Sequence, residues 1–222
     1  MGKCDFLNNS IIAHRGIYNN ITIYENSLEA IMYAVKNNLC VEVDIRLTLD
    51  NKIIVFHDED ASRMLKIKDK VNTLTKEEID YYSHYNIPTL KEVLDYINGK
   101  VPIIIDVKED NKILRTELIN ILNNYKGKFV IQSFLSDAIK FYKKKNFIVG
   151  LLIYENNIKF LDKNLEVDFY NIKYDLIDRK KINLLKQKYY IIGYTLRTRK
   201  DVEYYIGVYN NLVIDNIEEV FK

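Results

Sequence analysis

The chain has 222 residues, 48% of them hydrophobic and 29% charged, and a formal net charge of +2. That length and apolar content suit one domain with a sizeable core, and the near-balanced charge argues against nucleic acid as a partner. Cys4 and Cys40 are too few for a disulfide framework, and no C-x-x-C pair offers metal or redox chemistry.

The N-terminal stretch MGKCDFLNNS is polar and lacks the apolar run of a secretory signal. Gly2 begins an incomplete myristoylation motif, since Phe6 stands where Ser or Thr is required. No apolar stretch approaches the ~18–20 residues of a membrane span. The expectation is a cytoplasmic protein without stable membrane insertion. Pro88 and Pro102 are the only prolines and no linker is visible, so 1–222 reads as a single domain.

In chain order, a strand SIIAH (10–14) precedes a helix over 26–37 with Asn26 as its N-cap. The strand CVEVDI (40–45) follows and runs into KIIVFHD (52–58). The short LDN link between them allows only an antiparallel return, so 45–56 reads as a hairpin. Helical spacing resumes over 89–98, 110–125 and 136–145, with Thr89, Asp110 and Ser136 at the cap positions. These alternate with strands VPIIIDV (101–107), KFVIQSF (128–134) and IVGLLIY (148–154). The remaining strands are FYNIKY (169–174), YYIIGYTL (189–196) and NLVID (211–215), with helices over 175–188 and 198–206. Setting the hairpin's return leg aside leaves eight strands. That count predicts an α/β fold, a (β/α)8 barrel trimmed below the ~250 residues typical of such folds. An open doubly wound sheet is the alternative, because alternation alone does not close a barrel.

Ionisable residues collect at the strand ends. Glu42 and Asp44 lie two apart in CVEVDI and so share one face, as do Asp106 and Lys108. His14 ends the first strand and His57 the hairpin. In a barrel all of these converge on the C-terminal mouth. Singly, each has a plain explanation: a satisfied structural histidine, a solvated edge carboxylate, a simple ion pair. Together they are hard to explain by packing. Three carboxylates without cysteine suit one hard dication, Mg²⁺ or Ca²⁺. Two histidines suit acid–base work near neutral pH. Arg15 offers a planar fork for a phosphate, Lys108 a point charge. This set describes phosphoester cleavage. His84, in YSHYN, reads as surface.

The order of these residues, AHRG, then ENS, then EVDIRLTLDNKIIVFHD, resembles the glycerophosphodiester phosphodiesterase family. IPTLKEVLDYI, IIIDVK and IQSF continue the likeness, which is dense over 11–108 and thin after 134. The resemblance implies a TIM barrel with a small insertion after the His-Asp hairpin, at 59–87. It also implies metal-dependent hydrolysis of small glycerophosphodiesters to sn-glycerol 3-phosphate and an alcohol. The implied histidine pair is His14 and His57. Glu42, Asp44 and Asp106 are the implied metal carboxylates, with Glu25 nearby, and Arg15 and Lys108 the phosphate contacts. Phe134 and Tyr194 are candidates for a substrate wall. Tyr24 replaces a usual proline, Asn51 a usual glycine, and Asp106 a usual glutamate. Asp215 matches the family's last strand. Gly16 is expected to let the chain turn and approach the ligand. The nucleophile is either water or the substrate's own neighbouring hydroxyl, with His14 favoured as base and His57 as acid. Competing readings are a phospholipase acting on lipid headgroups and a non-catalytic barrel that binds phosphate ligands.

Overall fold

The computed structural model describes residues 2–163 and 165–221. Nine strands are present among them: β1 (Ile12–His14), β2 (Cys40–Leu47), β3 (Ile53–Val55), β4 (Ile103–Val107), β5 (Phe129–Ser133), β6 (Val149–Ile153), β7 (Phe169–Lys173), β8 (Tyr190–Leu196) and β9 (Asn211–Ile214). All neighbours pair in parallel except β2 and β3, which form the expected antiparallel hairpin with Ile45 opposite Val55. β1 pairs with both β9 and β2, which closes eight strands into a barrel and rules out the open sheet. Asn51 sits in the hairpin turn at φ 60°, a left-handed conformation that asparagine tolerates where a branched residue would not.

The strands read as near-continuous apolar runs because both faces are covered. Odd-numbered residues of β2 and β4 (Val41, Val43, Ile45, Ile103, Ile105, Val107) pack outward beneath the helices in the main core. Even-numbered residues of these two strands point into the barrel. At its lower end, Ile12, Cys40, Ile104, Val130, Phe169, Ile192 and Val213 form a separate apolar plug. Gly150 belongs to this layer, since a Cβ there would stand 2.1 Å from the Phe169 ring. Leu7, on a 3₁₀ turn (Asp5–Asn9), seals the bottom.

The outer helices are α1 (Leu28–Lys36), α4 (Leu90–Ile97), α5 (Lys112–Asn124), α6 (Ser136–Lys144), α7 (Arg179–Lys186) and α8 (Arg199–Tyr205), with a short α9 (Ile217–Val220). The expected segments hold, but three of the four expected caps move by a residue. Ser27 caps α1, accepting from the Ala30 N–H at 3.1 Å, because Asn26 turns left-handed and serves the barrel interior instead. Asn111 caps α5, while Asp110 is occupied by Arg115 at 2.6 Å. Ser136 is the first residue of α6 rather than its cap. Thr89 caps α4 as expected, in a reciprocal box with Glu92. Between β6 and β7 the connection is a 3₁₀ segment (Glu155–Asp162).

The 59–87 segment forms a small annex with α2 (Ser62–Leu65) and α3 (Lys76–Tyr82). Ala61, Met64, Leu65, Val71, Leu74, Ile79 and Ile87 pack with Ile54 and Phe56 of the hairpin into a separate apolar cluster. Tyr24 stacks on Tyr85 of this annex at 4.5 Å and meets His84, exposed as expected, edge-on. No helix among the described residues is long and apolar enough to cross a membrane.

Candidate active site

Strand register assembles the site. His14 lies beside Glu42, Asp44 beside Asp106, and Asp106 beside Gln132, all on inward positions above the apolar plug. The same alternation that hides Ile12 and Ile104 therefore lifts His14 and Asp106 to the mouth.

Glu42, Asp44 and Asp106 are buried, and their carboxylate oxygens lie within 4.8 Å of one another. Three negative charges that close require compensation. Lys108 Nζ stands 2.7 Å from Asp44 Oδ1 and 2.6 Å from Asp106 Oδ2, and Arg15 Nε stands 3.0 Å from Asp44 Oδ2. The Asn26 amide donates to Asp44 Oδ2 at 2.8 Å. The Arg15 N–H and the Gln132 amide donate to Glu42, at 3.2 and 3.3 Å. Asn171 in turn donates to Gln132 at 3.0 Å.

Two cations do not neutralise three carboxylates, and the imbalance shows. Burial tends to raise Asp44, but Lys108 and Arg15 hold it well below the usual carboxylate range. Glu42 is pushed well up by burial and by its neighbours Asp44 and Asp106. Burial raises Asp106 to about 6 despite Lys108. Asp106 Oδ1 is also buried without a hydrogen-bond partner. A cluster short of positive charge, built from oxygen donors with one left open, fits a hard divalent cation.

Each histidine has a carboxylate behind it. His14 Nδ1 lies 3.3 Å from Asp215 Oδ1, and Asp215 is held in turn by Tyr18 and by Arg197 at 3.1 Å. His57 Nδ1 lies 2.6 Å from Asp58 Oδ1. Burial lowers both imidazoles below their ordinary value; for His14 the nearby Arg15 adds to this, and Asp215 opposes it. Engagement of Nδ1 by Asp58 leaves Nε2 as the working nitrogen of His57, while His14 Nδ1 faces Asp215 at ion-pair distance.

Above this floor opens a cavity of about 730 Å³, lined by His14, Glu42, His57, Asp106 and Lys108 below and by Phe134 and Tyr194 at the side. Phe134 and Tyr194 meet edge-on at 6.2 Å, and the Tyr194 hydroxyl donates to the Ile153 carbonyl at 2.9 Å. Tyr154 and Phe160, from the β6–β7 connection, extend the aromatic side.

Three expected residues stand behind the cavity rather than on it. Asp44 and Arg15 are not among its lining residues. Glu25 is outside the acidic cluster; its carboxylate accepts from Arg15 at 2.6 Å and from Arg63 at 2.6 and 3.0 Å. Gly16, at φ 85°, faces helix α1 and not the cavity: a Cβ would stand 2.6 Å from the Ala30 carbonyl carbon. Its role is close packing of β1's exit loop on α1. Gln132, Asn171, Tyr18 and Arg63 escaped the sequence reading, and Asn26 was read only as a helix cap. Period-two counting from Val130 and Phe169 was the available signal for Gln132 and Asn171; nothing local marked Tyr18 or Arg63.

A parallel eight-stranded barrel with carboxylates, histidines and cations gathered at its C-terminal mouth defines a TIM-barrel protein. The sequence model of the glycerophosphoryl diester phosphodiesterase family matches residues 14–151, and the chain belongs to that family. A glycerophosphodiester phosphodiesterase of Bacillus altitudinis is 32% identical over 116 residues, a match spanning 47% of this chain and 46% of that protein. The chain thus spans about half the length of that relative. One from Caldanaerobacter subterraneus subsp. tengcongensis is 26% identical over 219 residues, covering 87% of this chain and 88% of its own. Among solved structures, an Oleispira antarctica phosphodiesterase in complex with the product sn-glycerol-3-phosphate superposes with a TM-score of 0.82. The two are 18% identical, with 97% of this chain and 96% of that one covered.

Proposed function

We propose that the protein hydrolyses small glycerophosphodiesters to sn-glycerol 3-phosphate and an alcohol, using a divalent cation and a histidine pair. The observation that carries this reading is the juxtaposition of Glu42 and Asp106, backed by Asp44, with His14 and His57 on one cavity floor. Glu42, Asp44 and Asp106 would hold Mg²⁺ or Ca²⁺, which when bound supplies Lewis-acid polarisation of a phosphoryl oxygen.

The chain's own groups do the rest. Lys108 meets phosphate charge at the cavity, while Arg15 adds positive potential from behind and fixes Asp44. His14, kept neutral by burial, takes a proton at Nε2 from the attacking hydroxyl, whether water or the substrate's own glycerol hydroxyl. His57 acts as the acid in its imidazolium form, with Nδ1–H on Asp58 at 2.6 Å, and is left neutral when its Nε2 proton goes to the leaving alkoxide. Phe134 and Tyr194 cover the apolar edge of the substrate and limit water. The Oleispira relative's bound product, in a protein of the same fold, supports the substrate class.

The test is release of glycerol 3-phosphate from glycerophosphocholine, glycerophosphoethanolamine and glycerophosphoglycerol, with EDTA and then with Mg²⁺, Ca²⁺ or Mn²⁺ restored. Turnover that EDTA abolishes and a metal restores is the expected result. Silence on all three with every metal would overturn it. Activity confined to phospholipid vesicles would favour the phospholipase reading.

A further inference from the structure

Arg63 lies on α2 in the annex, outside the barrel, and its side chain remains 45% exposed. A half-exposed arginine has ample rotamer freedom to lose, and an isolated surface pair seldom holds one still. Here three nitrogens are engaged at once. Nε donates to Asp58 Oδ2 at 2.6 Å, one terminal nitrogen to Glu25 Oε1 at 2.6 Å and the other to Glu25 Oε2 at 3.0 Å. The planar fork of the guanidinium grips one carboxylate with two nitrogens while its third reaches another.

Both carboxylates pass the constraint on. Asp58 uses its second oxygen to hold His57 Nδ1 at 2.6 Å. Glu25 holds Arg15 at 2.6 Å, and Arg15 reaches Asp44 at 3.0 Å. The chain His57–Asp58–Arg63–Glu25–Arg15–Asp44 is therefore continuous, with Arg63 as its centre and its sole contribution from the annex. Without Arg63, Asp58 is a loop carboxylate free to rotate away from the imidazole, and Glu25 loses two of its charged donors.

We propose that Arg63 is a positioning residue for catalysis, which locks Asp58 behind His57 and Glu25 behind Arg15 and so makes the 59–87 annex part of the active site. Its kinetic consequence rests on the phosphodiesterase reading; its effect on His57 does not.

The experiment compares Arg63→Ala, Arg63→Lys, Asp58→Asn and the Arg63→Ala/Asp58→Asn double variant with the wild-type protein. Removal of partners that orient a functional histidine from behind costs about 10–100-fold. Arg63→Ala should lose about that much kcat at an unchanged melting temperature. Arg63→Lys should recover part of the loss, keeping one bond but not the fork, as should millimolar guanidinium added to Arg63→Ala. The double variant should be slower than Asp58→Asn alone only by the share that Arg63 carries through Glu25 and Arg15, and so by less than the product of the two single losses, since both act in part through His57 Nδ1. Independently of turnover, ¹⁵N-edited imidazole spectra should show the hydrogen-bonded His57 Nδ1–H in wild type and its loss in Arg63→Ala. Wild-type kcat in Arg63→Ala, losses that multiply in the double variant, or an unchanged His57 Nδ1–H would each overturn the proposal. If the wild type turns over no glycerophosphodiester, the proposed function fails, and the imidazole spectra alone decide Arg63.

Discussion

The two sides of the cavity are built on different terms. The floor comes from β1, β2, β4 and the end of the hairpin, and its groups stand at ion-pair or hydrogen-bond distance from polar neighbours. The wall comes from β5, β8 and the β6–β7 connection, and offers Phe134, Tyr194, Tyr154 and Phe160 as apolar area. A dication, a phosphate and two proton transfers tolerate few residue types and little displacement. An apolar wall has only to fill space against the substrate, and several aromatic arrangements do that equally well. On the proposed reading, the floor sets the reaction and the wall sets which alcohol or glycerol face fits.

This difference also governs what could be read from the chain. Alternating strands and helices announced a barrel, and the hairpin was legible because a three-residue link cannot carry a parallel crossover. His14, Glu42, Asp44, His57, Asp106 and Lys108 were legible because ionisable residues at the ends of apolar strands are costly without a task. Glu25 was placed near the metal group by its position in ENS, while its bonds to Arg63, a residue 38 positions later that no local pattern marks, come from tertiary contact. Asn26 looked like a helix cap because asparagine before an amphipathic run usually is one. Its left-handed turn and bond to Asp44 depend on tertiary contact. Gly16 looked like a ligand approach because it follows His14 and Arg15; the neighbour it must accommodate is Ala30, visible only once α1 is docked.

The comparison can be broken most severely on the floor. His14→Ala and His57→Ala should each lose about 10²–10⁴-fold in kcat, with the fold retained. Steady-state kinetics with circular dichroism checks this. A loss under tenfold in either would dissolve the distinction between floor and wall.

Below that in size comes a purely structural site beside the floor. Gly16→Ala forces a side chain onto the Ala30 backbone at a positive φ, and should cost about 1–3 kcal/mol by chemical denaturation. Its residual activity per folded molecule should stay near normal, since Gly16 faces α1.

The wall should yield smaller and substrate-dependent effects. Tyr194→Ala removes an aromatic face worth about 0.5–1.5 kcal/mol beyond its area, so KM should rise several-fold while kcat changes little. The rise should differ between glycerophosphocholine and glycerophosphoglycerol. A uniform fall in kcat would instead assign Tyr194 to the chemistry.

The pH profile sharpens the same contrast. His14 must be neutral to accept a proton, and burial lowers its pKa below 6.5. A lowered value means that protonation begins only at more acidic pH. The acid-side midpoint of kcat/KM should therefore fall below 6.5 and should be shared by the Tyr194→Ala variant, which leaves the floor intact. A midpoint above 6.5 would contradict His14 as the neutral base.

The most direct measurement is ³¹P NMR of glycerophosphocholine incubated with metal-loaded wild-type protein and, in parallel, with His14→Ala and His57→Ala. The account expects the phosphodiester resonance to give way to glycerol 3-phosphate in the wild type alone, with any cyclic phosphate seen on the way reporting attack by the substrate's own hydroxyl. An unchanged diester with the wild type, or equal conversion by either histidine variant, would contradict the claim that the barrel's polar floor is a phosphodiesterase site.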